Sequence, residues 1–402
     1  MPPKNGSPIL GFGVIAVGYA PPRIPQKWPG SEKRGGTMRR IGLGLFIVVS
    51  IFALTVGANT LSQPSPLHRK IENPSLIAEP EARFECVFAG GYFLESPAVA
   101  PDGSVYFSDI TYAHPSGMQA GHIWRYDPKS GVTDIFRSPS GMSNGILFDS
   151  RGDMVVAEGA DFGGRRITRT DMRTSKSYIM VGLYKGRPLN SPNDLDIDAK
   201  GRIYFTDPRY NGHEPVEQPV MGIYRIDPDG GVRLLAANLW LPNGIAVSPD
   251  QKTLYVVSCG SYNMNFVEAA PIEGGPPSVV HAYDLLGDGT LRYRQPLVTF
   301  PDGTWGDGMT VDRDGNLYIA VSGSPKERGV HVYAPDGRSL AHLPTPEDAV
   351  NLDFGQGADS NLLYVVCSRD YAARGPGTPS IQNGLYRIKL KKRGVHAYPS
   401  RD

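Results

Sequence analysis

The chain has 402 residues, 20% of them charged and 40% hydrophobic, with 48 Gly and 36 Pro. That apolar content is enough for a large core and excludes both a disordered and a collagen-like chain. Residues 1–40 carry seven Lys or Arg against Glu32 alone, so the remaining 362 residues hold 34 basic and 39 acidic side chains, a net of −5. A mildly acidic body lacks the basic face that nucleic acid requires, which argues against such a partner.

At the N-terminus, Arg39 and Arg40 precede an uncharged apolar stretch at residues 41–58 that ends in Val56, Gly57 and Ala58. A basic flank, an apolar core and small residues at its end read as an export signal cleaved after Ala58. The alternative is an uncleaved membrane anchor, since 18 residues lie between a signal core and a span. The expected location is therefore periplasmic or secreted, with membrane contact only if the anchor is kept. Met38 stands just before the two Arg, and no periodic pattern precedes it. Residues 1–37 thus read as an over-long start or a basic tail, 38–58 as the signal, 59–80 as a Pro-rich linker and 81–395 as the folded domain.

From Glu95 onward one phrase recurs: a polar residue, a short apolar alternation, an Asp/Gly turn and a strand rich in Tyr, Val and Ile. The copies are ESPAVAPDGSVYFSD from Glu95, NGILFDSRGDMVVAE from Asn144, NDLDIDAKGRIYFTD from Asn193, NGIAVSPDQKTLYVV from Asn243 and DGMTVDRDGNLYIAV from Asp307. A weaker sixth starts at Asn351, and the successive starts are 49, 49, 50, 64 and 44 residues apart. In four copies the turn glycine falls eight residues after the leading residue, at Gly103, Gly152, Gly201 and Gly315. Turns of this kind joining alternating apolar runs are hairpin signals, and a period near 50 predicts four-stranded blades. The expected fold is all-β, a six-bladed β-propeller. Only GLYRIKL from Gly384 follows the last copy, so a strand before Glu95 is expected to close the ring. The longest interval holds a Gly- and Pro-rich insertion at residues 259–278, expected as a surface loop. Cys86, Cys259 and Cys367 lack metal-ligand spacing; they read as buried small residues, with one oxidised pair the alternative after export.

The leading positions, Glu95, Asn144, Asn193, Asn243, Asp307 and Asn351, share one register, so a propeller turns them toward its axis. Two carboxylates and several amides buried together call for a cation, and an all-oxygen set suits Ca²⁺, Mg²⁺ or Mn²⁺, with Zn²⁺ also accommodated. The competing interpretation makes the Asn-Gly and Asp-Gly pairs local turns. It is weakest for Glu95, Asn193, Asn243 and Asp307 taken together, while Asn144 and Asn351 fit either role.

Three sharper motifs fail in context. GMSNG at residues 141–145 imitates a serine-hydrolase elbow, but a strand follows Ser143 where a helix is needed. Asp194, Asp196 and Asp198 imitate the start of an EF-hand loop, yet Phe205 stands where the bidentate Glu belongs. Asp196 and Asp198 read instead as strand residues leading to a turn. The eight His are scattered, and His114 and His122 read as surface or core residues.

Together LESPAVAPDGSVYFSDI, NSPNDLDIDAKGRIYFTDPRY, LPNGIAVSPDQKTLYVVS and GDGMTVDRDGNLYIAV resemble the family of gluconolactonases, senescence marker protein (regucalcin) and luciferin-regenerating enzymes over roughly residues 85–390. The resemblance implies a six-bladed propeller with one divalent cation on its axis, most often Ca²⁺. It implies Glu95, Asn193, Asn243 and Asp307 as metal ligands, Asp307 also as general base, and Asn193 as a residue that binds metal or substrate depending on the member; the shared register adds Asn144 as a substrate-binding residue. Asn190, Ser191 and Pro192 stand where some members carry a substrate-contacting Arg. The implied reaction is hydrolysis of a sugar lactone, an aldonolactone such as gluconolactone. Two alternatives remain: phosphotriester hydrolysis on a similar metal site, and a non-catalytic binding propeller stabilised by calcium. The sequence leaves the oligomeric state open.

Overall fold

The computed structural model describes residues 74–111, 121–260, 276–368 and 383–396. The predicted signal, His114 and residues 261–275 of the predicted insertion lie outside the described residues. Among those described, strands dominate; helix is confined to the short turns Pro74–Ile77 and Gly357–Asp359.

Six four-stranded antiparallel sheets follow one another along the chain, and we number them as blades 1 to 6. Their innermost strands are Leu94–Val99, Ser143–Phe148, Leu195–Ile197, Pro242–Val247, Thr304–Val311 and Ala349–Phe354. Each packs against the inner strand of the next blade, and the sixth packs against the first, so the blades form a closed ring. The outermost strand of blade 6 is Glu85–Ala89, paired antiparallel with Gly384–Lys389. The strand expected before Glu95 thus closes the propeller, and an Arg387 to Glu85 ion pair spans that seam at 2.8 Å.

The eight-residue spacing has a conformational cause. Gly103, Gly152, Gly201 and Gly315 all have φ between 77° and 88°, the left-handed region a tight hairpin needs. In the fourth copy the equivalent residue is Gln251, which holds φ 61° and donates its amide to Ser248 O at 3.2 Å. Five residues after the leading position, at Asp149, Asp198, Ser248 and Asp312, a short polar side chain organises the same turn in four copies. Asp198 Oδ1 accepts the Lys200 and Arg202 amides at 2.9 and 3.0 Å, and Asp312 Oδ1 accepts those of Asp314 and Asn316 at 2.9 Å each. Asp198 is therefore the turn's hydrogen-bond acceptor.

Apolar residues of neighbouring blades interlock between the sheets. Tyr318, Val330 and Val332 of blade 5 meet Leu352, Leu363 and Val365 of blade 6, all within 2% of complete burial. Tyr204 and Tyr318 take their hydroxyls into this interior, where they donate to Asp198 and Asp312 at 3.1 Å. A buried hydroxyl so paired avoids the desolvation penalty that would otherwise oppose packing the ring. Blade edges are more open: Val132 and Ile135 on the outer strand of blade 1 are exposed, as are Tyr178 and Ile179 on that of blade 2.

The three cysteines are free thiols. Cys259 and Cys367 are buried as expected, whereas Cys86 is exposed because its strand is the outer edge of blade 6.

Candidate metal and active site

The leading residues do not make turns. In five of the six inner strands, pairing with the second strand slips at or beside the leading position: between Glu95 and Ala98, Ser143 and Ile146, Pro242 and Ile245, Gly306 and Met309, and Ala349 and Asn351. A bulge of this kind re-aims a side chain out of the ladder, here toward the axis. The glycine after the leading residue serves the same crowded ring. A Cβ at Gly145 would lie 2.6 Å from Asn193 O, and one at Gly244 or Gly308 would collide with Asp307 O or the Asn351 side chain. Gly145 N also donates to Asn193 O at 2.7 Å, tying blade 2 to blade 3. The Asn-Gly and Asp-Gly pairs are thus sites of close approach between neighbouring inner strands.

Five of the six leading residues, Glu95, Asn144, Asn193, Asn243 and Asp307, line one cavity of about 530 Å³ at the axis. Glu95, Asn144, Asn193 and Asn243 are buried, and Asp307 keeps part of its surface open to the cavity. The sixth, Asn351, faces the other way. With Asp194 it lines a smaller cavity of about 100 Å³, and its Nδ2 donates to Glu95 Oε2 at 3.3 Å and to Asp194 Oδ2 at 3.5 Å.

The electrostatics of this ring are adverse without a counter-charge. Burial, then the Asp307 and Asp194 carboxylates, push Glu95 well above the usual carboxylate range. Asp307 is raised to about 8 by burial and by Asp194, against a lowering hydrogen bond from Asn243. Asp194 is raised to about 7, chiefly by burial. Meanwhile Asn144 Oδ1, Asn193 Oδ1 and Asp307 Oδ1 are shut from solvent with no hydrogen-bond partner. Orphaned buried oxygens are costly, and three on one cavity beside Glu95 form a hard, anionic donor set of the kind that oxygen-seeking divalent cations take. The residues present fit such an ion. Among the described residues no group of three or more His, Cys, Asp or Glu stands in metal-binding proximity, so amides are an essential part of this donor set.

Other residues of the cavity carry no repeat signal. Cys259 accepts the Asn243 amide at 3.4 Å and contacts Gly306 O at 3.4 Å; burial, then Asp307, push its thiol up to about 12, so it is no thiolate nucleophile. Asp161, Ser191, Tyr210 and Asp348 also reach the cavity. Asp161 holds φ 69°, and its amide and that of Phe162 donate to Glu214. Asn190 is fully buried and bonded to Asp207 and to Val220 O at 2.9 Å, while its neighbour Ser191 faces the cavity.

The discounted motifs behave as their context required. Ser143 is buried and bonded to Ser140 Oγ at 2.9 Å and to His122 O at 3.2 Å, a pairing without a general base. His122 pairs with Ser138 Oγ at 2.7 Å, outside the cavity. Asp196 differs from the simple strand residue expected. Its carboxylate is buried and accepts amides from Ile197 and, across to blade 4, from Val247, each at 2.7 Å. Asp194, met in the sequence only as part of the EF-hand imitation, stands beside the axial ring. It adjoins Asn193, and the alternation of an extended chain sends it to the opposite side of the axial ring.

Residues 94–369 match the sequence profile described as SMP-30/Gluconolactonase/LRE-like region. A gluconolactonase of Zymomonas mobilis is 29% identical over 330 residues, which cover 76% of this chain and 88% of that protein. The solved structure of XC5397, a gluconolactonase of Xanthomonas campestris, superposes with a TM-score of 0.60 at 28% identity, covering 77% of this chain and 90% of that one. A regucalcin of Agrobacterium tumefaciens, described as a calcium-binding protein, shares the fold with a TM-score of 0.57 at 20% identity, over 79% of this chain and 98% of that one. Profile, relatives and ring of blades agree: the chain belongs to the SMP-30/gluconolactonase/LRE-like family of lactonase-type hydrolases.

Proposed function

We propose that the protein is a divalent-cation-dependent lactonase that opens a sugar lactone, such as an aldonolactone, to its hydroxy acid in the 530 Å³ cavity. The observation that carries this reading is the set of orphaned oxygens of Asn144, Asn193 and Asp307, gathered beside the buried Glu95. Glu95, Asn193, Asn243 and Asp307 would hold the ion, and their all-oxygen chemistry favours Ca²⁺ while admitting Mg²⁺, Mn²⁺ or Zn²⁺. A divalent cation bound there supplies polarisation of the lactone carbonyl and counter-charge for the oxyanion that develops on it.

Asp307 acts as general base. The water oxygen adds to the carbonyl carbon while Asp307 takes the water's proton; the acyl–oxygen bond then breaks as Asp307 returns that proton to the ring oxygen, which leaves as a hydroxyl. One water is consumed, one carboxylic acid is formed, and at neutral pH that acid releases a proton. In the cation-free chain burial and then Asp194 raise the Asp307 carboxyl to about 8; a bound cation would lower it again and hold Asp307 in the ionised form that a general base needs. Asn144 and Asn193 present oxygen acceptors to substrate hydroxyls.

Acid release from gluconolactone, followed with a pH indicator after chelation and again after adding Ca²⁺, Mg²⁺, Mn²⁺ or Zn²⁺, tests the reading. Cation-dependent release above the spontaneous rate supports it. A bound cation with no release would return the site to phosphotriester hydrolysis or to a structural ion. The reading also takes residues 38–58 as an export signal, which the mass of the mature N-terminus tests.

A further inference from the structure

One stretch of the cavity wall is held in an uncommon backbone conformation. The second strand of blade 2, Met154–Glu158, runs into a loop whose Gly159, Ala160 and Asp161 line the cavity. Asp161 and Phe162 stand in succession in the left-handed region, at φ 69° and 64°, where an L side chain is disfavoured and a bulky one is a rarity. Glycine would meet those angles without strain. The loop does contain Gly163 and Gly164, but both lie outside that region. They serve close packing instead, since a Cβ would fall 2.3 Å from Gly159 O at the first and 2.1 Å from Glu158 Oε2 at the second. Side chains are thus kept at the two positions where the backbone disfavours them. The two then part: Asp161 is 3% exposed and lines the cavity, whereas Phe162 turns outward at 65%.

The next blade holds this kink in place. Ala160 N donates to Ser191 Oγ at 2.9 Å, Asp161 N to Glu214 Oε2 at 3.2 Å and Phe162 N to Glu214 Oε1 at 2.7 Å. Glu214 lies between the second and third strands of blade 3, Ile203–Asp207 and Gly222–Ile226. It is fixed in turn by the fully buried Arg209, which donates to Glu214 Oε2 at 3.1 Å, to Glu214 O at 2.9 Å and to Pro215 O at 3.1 Å. Gly212 leaves the room for this junction, because a Cβ there would lie 2.5 Å from Glu214 Oε2 and 2.7 Å from Asp161 N. Burial opposes ionisation of Glu214, but its own amide, those of Phe162 and Asp161, and Arg209 hold its carboxyl below the usual range. Strain of this kind persists only where the surroundings over-determine it, and it gathers where a side chain must be presented to a ligand.

We infer that Asp161 binds a hydroxyl of the sugar lactone, and that Glu214, backed by Arg209, is the positioning residue that holds Asp161 on the cavity wall. This inference rests on the lactonase reading above and adds a specificity determinant to it. A carboxylate accepts hydrogen bonds from hydroxyls, and such charge-assisted bonds are about twice as strong as neutral ones. Ser191, which takes the Ala160 amide, lines the same cavity as Asn193, so the carboxylate joins the side of the site already assigned to substrate hydroxyls. Asp161 is not among the ligands proposed for the ion, and a contact away from the reacting carbonyl binds substrate and transition state alike. Its loss should therefore appear in KM and in kcat/KM, with kcat little changed.

The test uses the full chain loaded with Ca²⁺ and compares gluconolactone with δ-valerolactone, which lacks every hydroxyl, while calorimetry follows Ca²⁺ affinity. Asp161→Gly removes the carboxylate and suits the left-handed backbone. Glu214→Gln keeps one oxygen for the two amides and drops the charge facing Arg209. D161G should raise KM for gluconolactone at least about tenfold, with kcat within about twofold and Ca²⁺ affinity kept. The gluconolactone-to-valerolactone ratio of kcat/KM should fall by the same factor. E214Q should show the same split to a smaller extent, and the double variant should be no worse than D161G, because Glu214 acts through Asp161. An unchanged KM, an equal loss on both lactones, a loss of Ca²⁺ affinity in D161G, or additive effects in the double variant overturns the inference and leaves the lactonase reading intact. Failure to open either lactone with the cation demonstrably bound overturns the lactonase reading, and the inference falls with it.

Discussion

Replacing Asp307 by Asn should damage activity and stabilise the cation-free protein at the same time. The exchange is nearly isosteric and keeps one oxygen on the cavity, but it removes both the proton acceptor and a buried acid. Loss of a positioned general base costs roughly 10²–10⁴ in rate. The stability effect follows from proton linkage. The Asp307 carboxyl titrates near 8 in the folded chain, through burial and then Asp194, against about 4 in the unfolded chain. Between those values the folded state holds a proton that the unfolded state has released, so stability falls as pH rises through this window at about 1.4 kcal/mol per pH unit. At pH 7 the accumulated cost is on the order of 2–4 kcal/mol, which Asn does not incur; at pH 4 it vanishes. Thermal melts of wild type and D307N in chelator at pH 4.5 and pH 7.5, paired with gluconolactone hydrolysis in Ca²⁺, read both effects. The expected pattern is a variant that melts several degrees higher at pH 7.5, nearly equal at pH 4.5, and almost inactive. A stability gain independent of pH would refute the electrostatic reasoning, and activity within threefold of wild type would refute the base assignment.

Glycines on the two sides of the repeat give contrasting predictions. Gly103→Ala meets no atom within 4 Å but holds φ 88°, so it should cost about 1–2 kcal/mol, the left-handed penalty alone, and spare activity; urea unfolding and turnover measure both. Gly308→Ala drives a Cβ into the Asn351 side chain, which bonds to Glu95 and Asp194. It should weaken Ca²⁺ binding in calorimetry by at least about tenfold; unchanged binding would contradict the close packing of the axial ring. Ser143→Ala should keep lactonase activity within about twofold, because a serine without a base is no activated nucleophile. A hundredfold loss would reopen the serine-hydrolase interpretation.

The parts of the fold that a repeated local interaction encodes could be read from the chain. Blade register was legible because five of the six inner hairpins hold a positive φ eight residues after the leading side chain, and Gly103, Gly152, Gly201 and Gly315 advertise that need. Gln251 hides the same requirement, since it holds φ 61° with its amide tied to the backbone. The closing strand was legible from the strand count alone. Bulges were not: Asn144-Gly145 and Asn243-Gly244 look like turns because the chemistry that tolerates a turn also tolerates a backbone passing at close range. At the site, Glu95, Asn144, Asn193, Asn243 and Asp307 do share one cavity. Asn351 has the same register and points to the other side, because its amide spans Glu95 and Asp194. Asp194 showed only as part of the EF-hand imitation, because it belongs to the ring through space and not through the repeat.

The central claim is that one cation, held by Glu95 with Asn193, Asn243 and Asp307, makes this cavity an active site. Titrating Ca²⁺ into chelator-treated full-length protein while recording bound ion and lactone hydrolysis together tests it most directly, with Glu95→Gln as the parallel sample. The account predicts that activity rises in proportion to occupancy and saturates at one ion per chain, and that E95Q loses both binding and hydrolysis. Full hydrolysis in the chelated protein, or normal cation-dependent activity in E95Q, would contradict it.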